Sequence, residues 1–270
     1  MTTFESRSPV NQPGNLPLTA AHRGYSSVNP ENTLAAFAAA MRAGADFVEI
    51  DIQTAADGVP VVMHDQTVDR TTNGTGDVAL VDSSYVTGLE AGSWFSPAFA
   101  DQPTPTFQQI LDLMATGASD LLLEIKEGES REQVDRVVDM IRAAGVADRV
   151  VMQSFDEDVV RYAHERAPQI PIGLIRDKLD ADPVATAERL QLDYYNPSGN
   201  ALATQPSVVA DLHASGVGVF VWIVNEPDHW KRLAELGVDG VITDRPGAFI
   251  GWKAALAQMS APAPMTPSRT

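Results

Sequence analysis

The chain contains no cysteine. That removes disulfides, thiolate metal ligands and thiol nucleophiles, and leaves the redox compartment open. Positive charge is scarce. Lys and Arg number 19 against 36 Asp and Glu, a net charge of -17. A surface of that sign repels nucleic acid and anionic bilayers, so neither is expected as a partner. It repels anionic substrates at long range as well, so a phosphate-bearing substrate needs a local cation, a role that suits a metal ion. No apolar run approaches membrane-spanning length, and no stable membrane insertion is expected. The opening stretch MTTFESRSPVNQPGNLP lacks the basic start and apolar run of a secretory signal, which makes the cytoplasm the expected location. Nothing in the sequence sets an oligomeric state.

What is present suits one large domain. A chain of 270 residues with 44% hydrophobic composition can bury a sizeable core, and an α/β barrel fills this length. Short β-rich runs alternate with amphipathic ones. The strand-like runs are PLTAAHR, FVEIDIQT, DLLLEIK, RVVMQSF, IPIGLIR, LDYYNP, VGVFVWIVN and VDGVITDRP, eight in all. Helical patterns are expected in residues 133–144, 157–166, 183–191, 206–214 and 227–235. A first helix has Pro30 and Glu31 in its opening turn, TLAAFAAAMRAG as its body and Gly44 as its stop. The alternation predicts a parallel sheet, and eight strands predict a closed (β/α)₈ TIM barrel.

VPVVMHD breaks the pattern. It follows FVEIDIQT after only AADG, too short for a parallel crossover, and reads as an extra antiparallel hairpin strand that carries His64 back toward the second barrel strand. The turn-rich segment 65–108 reads as an insertion over the active face. The expected organisation is an N-terminal tail at 1–16, one barrel domain at 17–256 and a disordered Pro/Ala/Ser-rich tail at 257–270.

The chemistry-bearing residues fall late in the strands, where barrel enzymes keep their active sites. Glu49 and Asp51 share one strand face, with Val48, Ile50 and Ile52 on the other. Glu124 and Lys126 share a face of DLLLEIK. Internal salt bridges are the plain reading of such charges. Three converging carboxylates, however, also suit one hard divalent ion, Mg²⁺ or Ca²⁺. His22 and His64 end two strand legs and supply an acid and a base near neutral pH. His164, His213 and His229 read as surface or packing residues. Arg23 and Lys126 suit phosphate oxygens. Gln153 and Phe155 face one way on their strand. Phe220, Trp222 and Val224 are expected to share a face, which puts Phe155 and Trp222 on the wall of a pocket. Asn196 is left between a substrate hydrogen bond and a turn role before Pro197.

In order along the chain, HRGYSSVNPENTLAAF, VEIDIQTAADGVPVVMHD, LLLEIK, MQSF, VWIVN and GVITDRP resemble the motifs of the glycerophosphodiester phosphodiesterase family. The resemblance runs from His22 to Pro246 and includes the insertion after His64. It departs at Ile223, where threonine is commoner, and that side chain is expected to point to the helix layer. The resemblance implies a metal-dependent hydrolase of glycerol and lipid metabolism that converts small-molecule glycerophosphodiesters to sn-glycerol 3-phosphate and an alcohol. It further implies that Glu49, Asp51 and Glu124 hold one divalent ion, His22 and His64 act as the acid–base pair, and Arg23 and Lys126 hold the phosphate. Glu31 then braces the first loop through Arg23 or a histidine. Two other readings stand beside this one. The first is a lysophospholipase D-like or phosphatidylinositol-cleaving phosphodiesterase, with Trp94, Phe95 and Phe99 against an acyl chain. The second is a non-catalytic barrel that binds phosphodiesters.

Overall fold

The computed structural model describes Val10 and residues 15–260. Residues 1–9, 11–14 and 261–270 of the two expected tails lie outside the described residues. The chain begins with β1 (Leu18–Ala21), α1 (Leu34–Ala43), β2 (Phe47–Thr54) and β3 (Pro60–Val62). The insertion follows, with the short α2 (Ser83–Thr87) between 3₁₀ turns at Val78–Leu80 and Pro97–Phe99, and then come α3 (Phe107–Thr116), β4 (Asp120–Ile125) and α4 (Arg131–Ala143). The second half runs β5 (Val150–Ser154), α5 (Glu157–Arg166), β6 (Ile172–Arg176), α6 (Pro183–Leu190), β7 (Tyr194–Pro197), α7 (Gly199–Thr204) and α8 (Val208–Ala214). It closes with β8 (Phe220–Val221), α9 (Pro227–Leu236), β9 (Gly240–Thr243) and α10 (Pro246–Ser260). α10 thus carries ordered backbone past the expected boundary at 256.

Eight strands pair in parallel in the order β7-β6-β5-β4-β2-β1-β9-β8, and β3 pairs antiparallel with β2. This is the expected TIM barrel with its extra hairpin strand. The period of two along each strand sorts the residues into layers. Val48, Ile50, Leu121, Leu123, Val150 and Met152 face the helices in the main core. Ala20, Phe47, Leu122, Val151, Tyr194, Phe220 and Ile242 form a separate apolar plug inside the barrel. Two residues beyond each plug residue, on the same face, stand His22, Glu49, Glu124, Gln153, Asn196, Trp222 and Asp244. The barrel interior therefore changes from apolar to polar within one pleat.

Three expectations are corrected. Pro30 and Glu31 precede α1 instead of forming its first turn. Asn32 takes a left-handed φ of 57°, and Thr33 is the cap, accepting from Ala36 N–H at 3.3 Å and donating to the Pro30 carbonyl at 2.8 Å. The segment 65–108 gives way at Phe107 to α3, a full helix that no expected pattern covered. Its N-terminus is a capping box of Thr106 and Gln109. Asn196 takes neither of its expected roles. It is fully buried, its Nδ2 donates to Gln153 Oε1 at 2.9 Å and its Oδ1 accepts the Phe220 N–H at 3.1 Å.

That side chain helps close the barrel. β7 and β8 share no continuous ladder, only isolated bridges at Tyr194–Gly218 and Ser198–Trp222. Asn196 supplies the acceptor between them. Gly173 leaves the necessary room, since a Cβ there would sit 2.9 Å from Asn196 Nδ2. Replacing Asn196 with Ala leaves a buried backbone N–H and a buried amide oxygen unpaired, at roughly 1–3 kcal/mol each. Asn196→Ala should lower the urea midpoint accordingly. An unchanged midpoint would remove this residue from the closure.

Candidate active site

The in-register pairing of β2 with β4 sets Asp51 beside Glu124, and Glu49 lies one pleat earlier. One oxygen from each of Glu49, Asp51 and Glu124 lies within 4.8 Å of the others, and all three residues are buried. Burial, and then the charges of Asp51 and Glu124, push Glu49 well above the usual carboxylate range. Burial and the charge of Asp51 raise Glu124 to about 7, against the pull of Lys126 and Arg23. Asp51 goes the other way. Burial opposes its ionisation, but Lys126, Arg23 and His64 hold it well below the ordinary value. Lys126 Nζ sits 2.7 Å from Asp51 Oδ1 and 2.5 Å from Glu124 Oε1. Asn32 Nδ2 donates to Asp51 Oδ2 at 2.8 Å. A buried, oxygen-only donor set with two members that resist ionisation fits a hard divalent cation, whose charge would favour all three carboxylates.

Arg23 is fitted to this cluster from its backbone outward. Its φ of 52° is left-handed, costly for a residue with a Cβ. The turn aims its amide at Glu49 Oε2, 2.8 Å away. Its guanidinium donates to Glu31 Oε1 at 2.7 Å and stands 3.4 Å from Asp51. Its buried Nε makes no hydrogen bond. Glu31 does brace the first loop through Arg23, and through a residue the sequence reading missed. Arg70, from the insertion, grips Glu31 at 2.7 and 3.0 Å and Asp65 at 2.6 and 2.9 Å.

Each histidine is held by its Nδ1. His22 Nδ1 is 2.7 Å from Asp244 Oδ1. His64 Nδ1 is 2.7 Å from Asp65 Oδ1. Asp244 also accepts from Ser26 Oγ at 3.1 Å and from Asn225 Nδ2 at 2.6 Å. Burial alone would raise Asp244, but His22, Asn225 and Ser26 outweigh it and hold the carboxyl at about 2. Burial, with the charges of Lys126 and Arg23, pulls His64 below its ordinary value, although Asp51 and Asp65 pull upward. The hairpin places His64 as expected, with Met63 N–H donating to the Asp51 carbonyl at 3.1 Å.

A cavity of about 70 Å³ opens at this end of the barrel. His22, Arg23, Glu49, His64, Glu124, Gln153, Phe155 and Trp222 line it, all from the expected set. Asp51, Lys126 and Glu31 are not on its wall and support it from behind. Phe155 and Trp222 meet edge to face at 5.4 Å, and Trp222 Nε1 donates to the Asn196 carbonyl at 2.8 Å. Gln153 is spoken for by Asn196. Trp94, Phe95 and Phe99 pack on one another, with centroids 5.7 Å apart, and do not line the cavity. Ile223 corrects its expectation. It is 39% exposed and lines the cavity, while Val224 joins the outer core. β8 ends at Val221, and the strand alternation no longer places Ile223 and Val224.

Asp244 had a signal the sequence reading did not use. It stands two residues past the interior Ile242, on the same face as the rest of the polar layer. Arg70 had none, since it lies in an irregular loop without a period.

The chain is similar to known proteins over most of its length. The model of the glycerophosphoryl diester phosphodiesterase family matches residues 22–248. A glycerophosphodiester phosphodiesterase of Caldanaerobacter subterraneus subsp. tengcongensis is 36% identical over 237 residues, covering 86% of this chain and 96% of that protein. Among solved structures, an Oleispira antarctica phosphodiesterase in complex with the product sn-glycerol-3-phosphate superposes with a TM-score of 0.84 at 28% identity, covering 88% of this chain and 97% of that one. A glycerophosphodiester phosphodiesterase from Agrobacterium tumefaciens gives a TM-score of 0.77 at 27% identity, covering 87% and 100%. The protein is an enzyme of the glycerophosphoryl diester phosphodiesterase family.

Proposed function

We propose that this enzyme hydrolyses glycerophosphodiesters to sn-glycerol 3-phosphate and an alcohol with His22 and His64 as its acid–base pair, aided by one divalent ion. The observation that carries the reading is the pair of carboxylate-held histidines on one small cavity whose wall also includes Glu49 and Glu124. The Oleispira antarctica relative, which shares this fold, binds that product.

A divalent ion, Mg²⁺ or Ca²⁺, held by Glu49, Asp51 and Glu124 would supply a hard positive charge beside the phosphoryl oxygens. Arg23 holds the phosphate, since it lines the cavity and brings a fixed positive charge to it. Lys126 lies behind the wall, paired with Asp51 and Glu124, and adds positive field from there. Asp244 and Asp65 accept from the two Nδ1 atoms, which leaves each Nε2 for proton transfer. His64, held below its ordinary value, enters neutral and takes the proton of the nucleophile, water or the glycerol 2-hydroxyl. The new P–O bond forms as the bond to the alcohol breaks, and His22 protonates the departing alkoxide. Attack by water gives glycerol 3-phosphate directly; attack by the 2-hydroxyl gives a cyclic phosphate, which water then opens with the two histidines exchanging roles, His22 taking the proton of water and His64 returning one to the 2-oxygen. Phe155 and Trp222 give the cavity an aromatic wall.

The acyl-chain reading built on Trp94, Phe95 and Phe99 is not favoured, because none of the three reaches the cavity. The binding-only reading leaves the two held histidines without a purpose. No helix among the described residues is long and apolar enough to cross a membrane, in keeping with a small-molecule substrate.

Release of glycerol 3-phosphate from glycerophosphocholine and glycerophosphoethanolamine tests the proposal. EDTA should abolish it, and Mg²⁺ or Ca²⁺ should restore it. His22→Ala and His64→Ala should each lose about 10²–10⁴-fold in turnover. A variant that kept more than about a tenth of wild-type activity would not fit a proton-transfer role.

Asp244 makes a separate prediction. Its folded pKa is depressed to about 2, so the stability it contributes is complete above its unfolded value and is lost as the pH falls through the folded one. Wild type should lose roughly 1–2 kcal/mol between about pH 4 and pH 2 from this group, after allowance for solvent screening. Asp244→Asn should lack that part of the acid transition and also turn over more slowly. Identical acid-unfolding curves would show that Asp244 does not carry this ion pair.

A further inference from the structure

The 70 Å³ cavity is too small for a diester with a large alcohol, so part of the substrate must continue outward. A second cavity, of about 550 Å³, shares part of its wall with the first. Trp222 and Ile223 line both. This groove lies between the chain that follows β7 and α9. Leu202, Val224 and Leu233, all buried, contribute apolar wall, and Ile223 and Leu236 stand more than a third exposed along it. Its charged residues are Asp177 and Arg232, both exposed, one of each sign. The first cavity holds the charged and titratable groups of His22, Arg23, Glu49, His64 and Glu124, and suits a phosphoglycerol unit. The second is of a size to take a drug-sized apolar group.

We propose that this groove receives a hydrocarbon chain on the departing alcohol, with Ile223 as the residue that passes it from the catalytic cavity to the groove. The preferred substrates are then glycerophosphodiesters of alkyl alcohols. The proposal deepens the hydrolytic reading of the same site and rests on it. A cationic head such as choline gains less, because Arg232 stands on the same groove and the two groove charges offset each other. Ile223 explains why the site tolerates an apolar chain at its mouth, since its exposed side chain presents hydrocarbon where the catalytic wall gives way to the groove.

The test compares kcat/KM for sn-glycero-3-phosphoethanol, sn-glycero-3-phospho-1-octanol and glycerophosphocholine. Burying one methylene is worth up to roughly fourfold, so the octyl ester should exceed the ethyl ester by at least about tenfold. Leu236→Gln and Ile223→Asn should cut that octyl-to-ethyl ratio at least about fivefold, each variant being referred to its own ethyl-ester rate so that altered folding cancels. A wild-type ratio near one, a ratio unmoved in both variants, or a choline ester faster than the octyl ester overturns the proposal. Failure to cleave any of the three esters overturns the hydrolytic reading, and the proposal with it.

Discussion

Mutual repulsion among three buried carboxylates is the constraint around which this end of the barrel is built. Glu49, Asp51 and Glu124 bring ligand atoms within 4.8 Å of one another, with at most 7% exposure each. Unpaired charges in such a place are expensive. The fold answers unevenly. Asp51 receives nearly all the compensation, with Lys126, Arg23 and Asn32 directed at it. Glu124 shares Lys126, and Glu49 has one backbone N–H. The result is a gradient, with one carboxylate firmly ionised and two held back. A site satisfied within itself would have no need of a cation. This one is left short of positive charge, in a protein whose surface is negative overall.

The same register that creates the repulsion also limits it. Along each strand the interior residue before the site is apolar, and Phe47, Phe220 and Tyr194 pack edge to face beneath it with centroids 5.3 to 5.5 Å apart. This plug keeps water from entering from below and gives the acidic layer a rigid floor. On the cavity wall, Phe155 and Trp222 meet in the same way. The charged layer is thus confined to about one pleat of the barrel, with open access only at the mouth.

How much of this was legible in the sequence follows from where the strand period holds. Glu49, Asp51, Glu124, Gln153 and Phe155 lie on or just past regular strands, and a period of two assigns their faces correctly. Asp244 obeys the same rule from Ile242, so it was readable in principle. The rule fails at residues 223 and 224, because β8 contributes only Phe220 and Val221 to the ladder and the chain beyond is set by contacts with its neighbours. There Ile223 turned to the mouth and Val224 to the core, the reverse of strict alternation. Asn196 was misread for a related reason. Its partners are a backbone N–H from β8 and an amide from β5, neither of them near in sequence. Pro30 and Glu31 were drawn into a helix because proline often opens one. The left-handed Asn32 blocks that start, and the displaced Glu31 becomes a ligand for two arginines.

Those two arginines give the insertion its place in the site. Arg23 belongs to the loop after β1, and His64 stands just past the β2–β3 hairpin pairing, at the mouth. Arg70 links them through carboxylates already in use, taking Glu31 on the Arg23 side and Asp65 on the His64 side. Isolated surface ion pairs contribute little, but Arg70 makes both contacts bidentate. Glu31 is also shielded by the loop it braces, with 14% of its side chain exposed. The geometry of such forks is narrow, so fixing one carboxylate restricts the other. A cation from an irregular loop therefore couples the placement of the proposed phosphate ligand to that of the proposed base. The insertion, which the strand pattern describes only as an interruption, serves as the clamp that keeps two loops in register over one cavity.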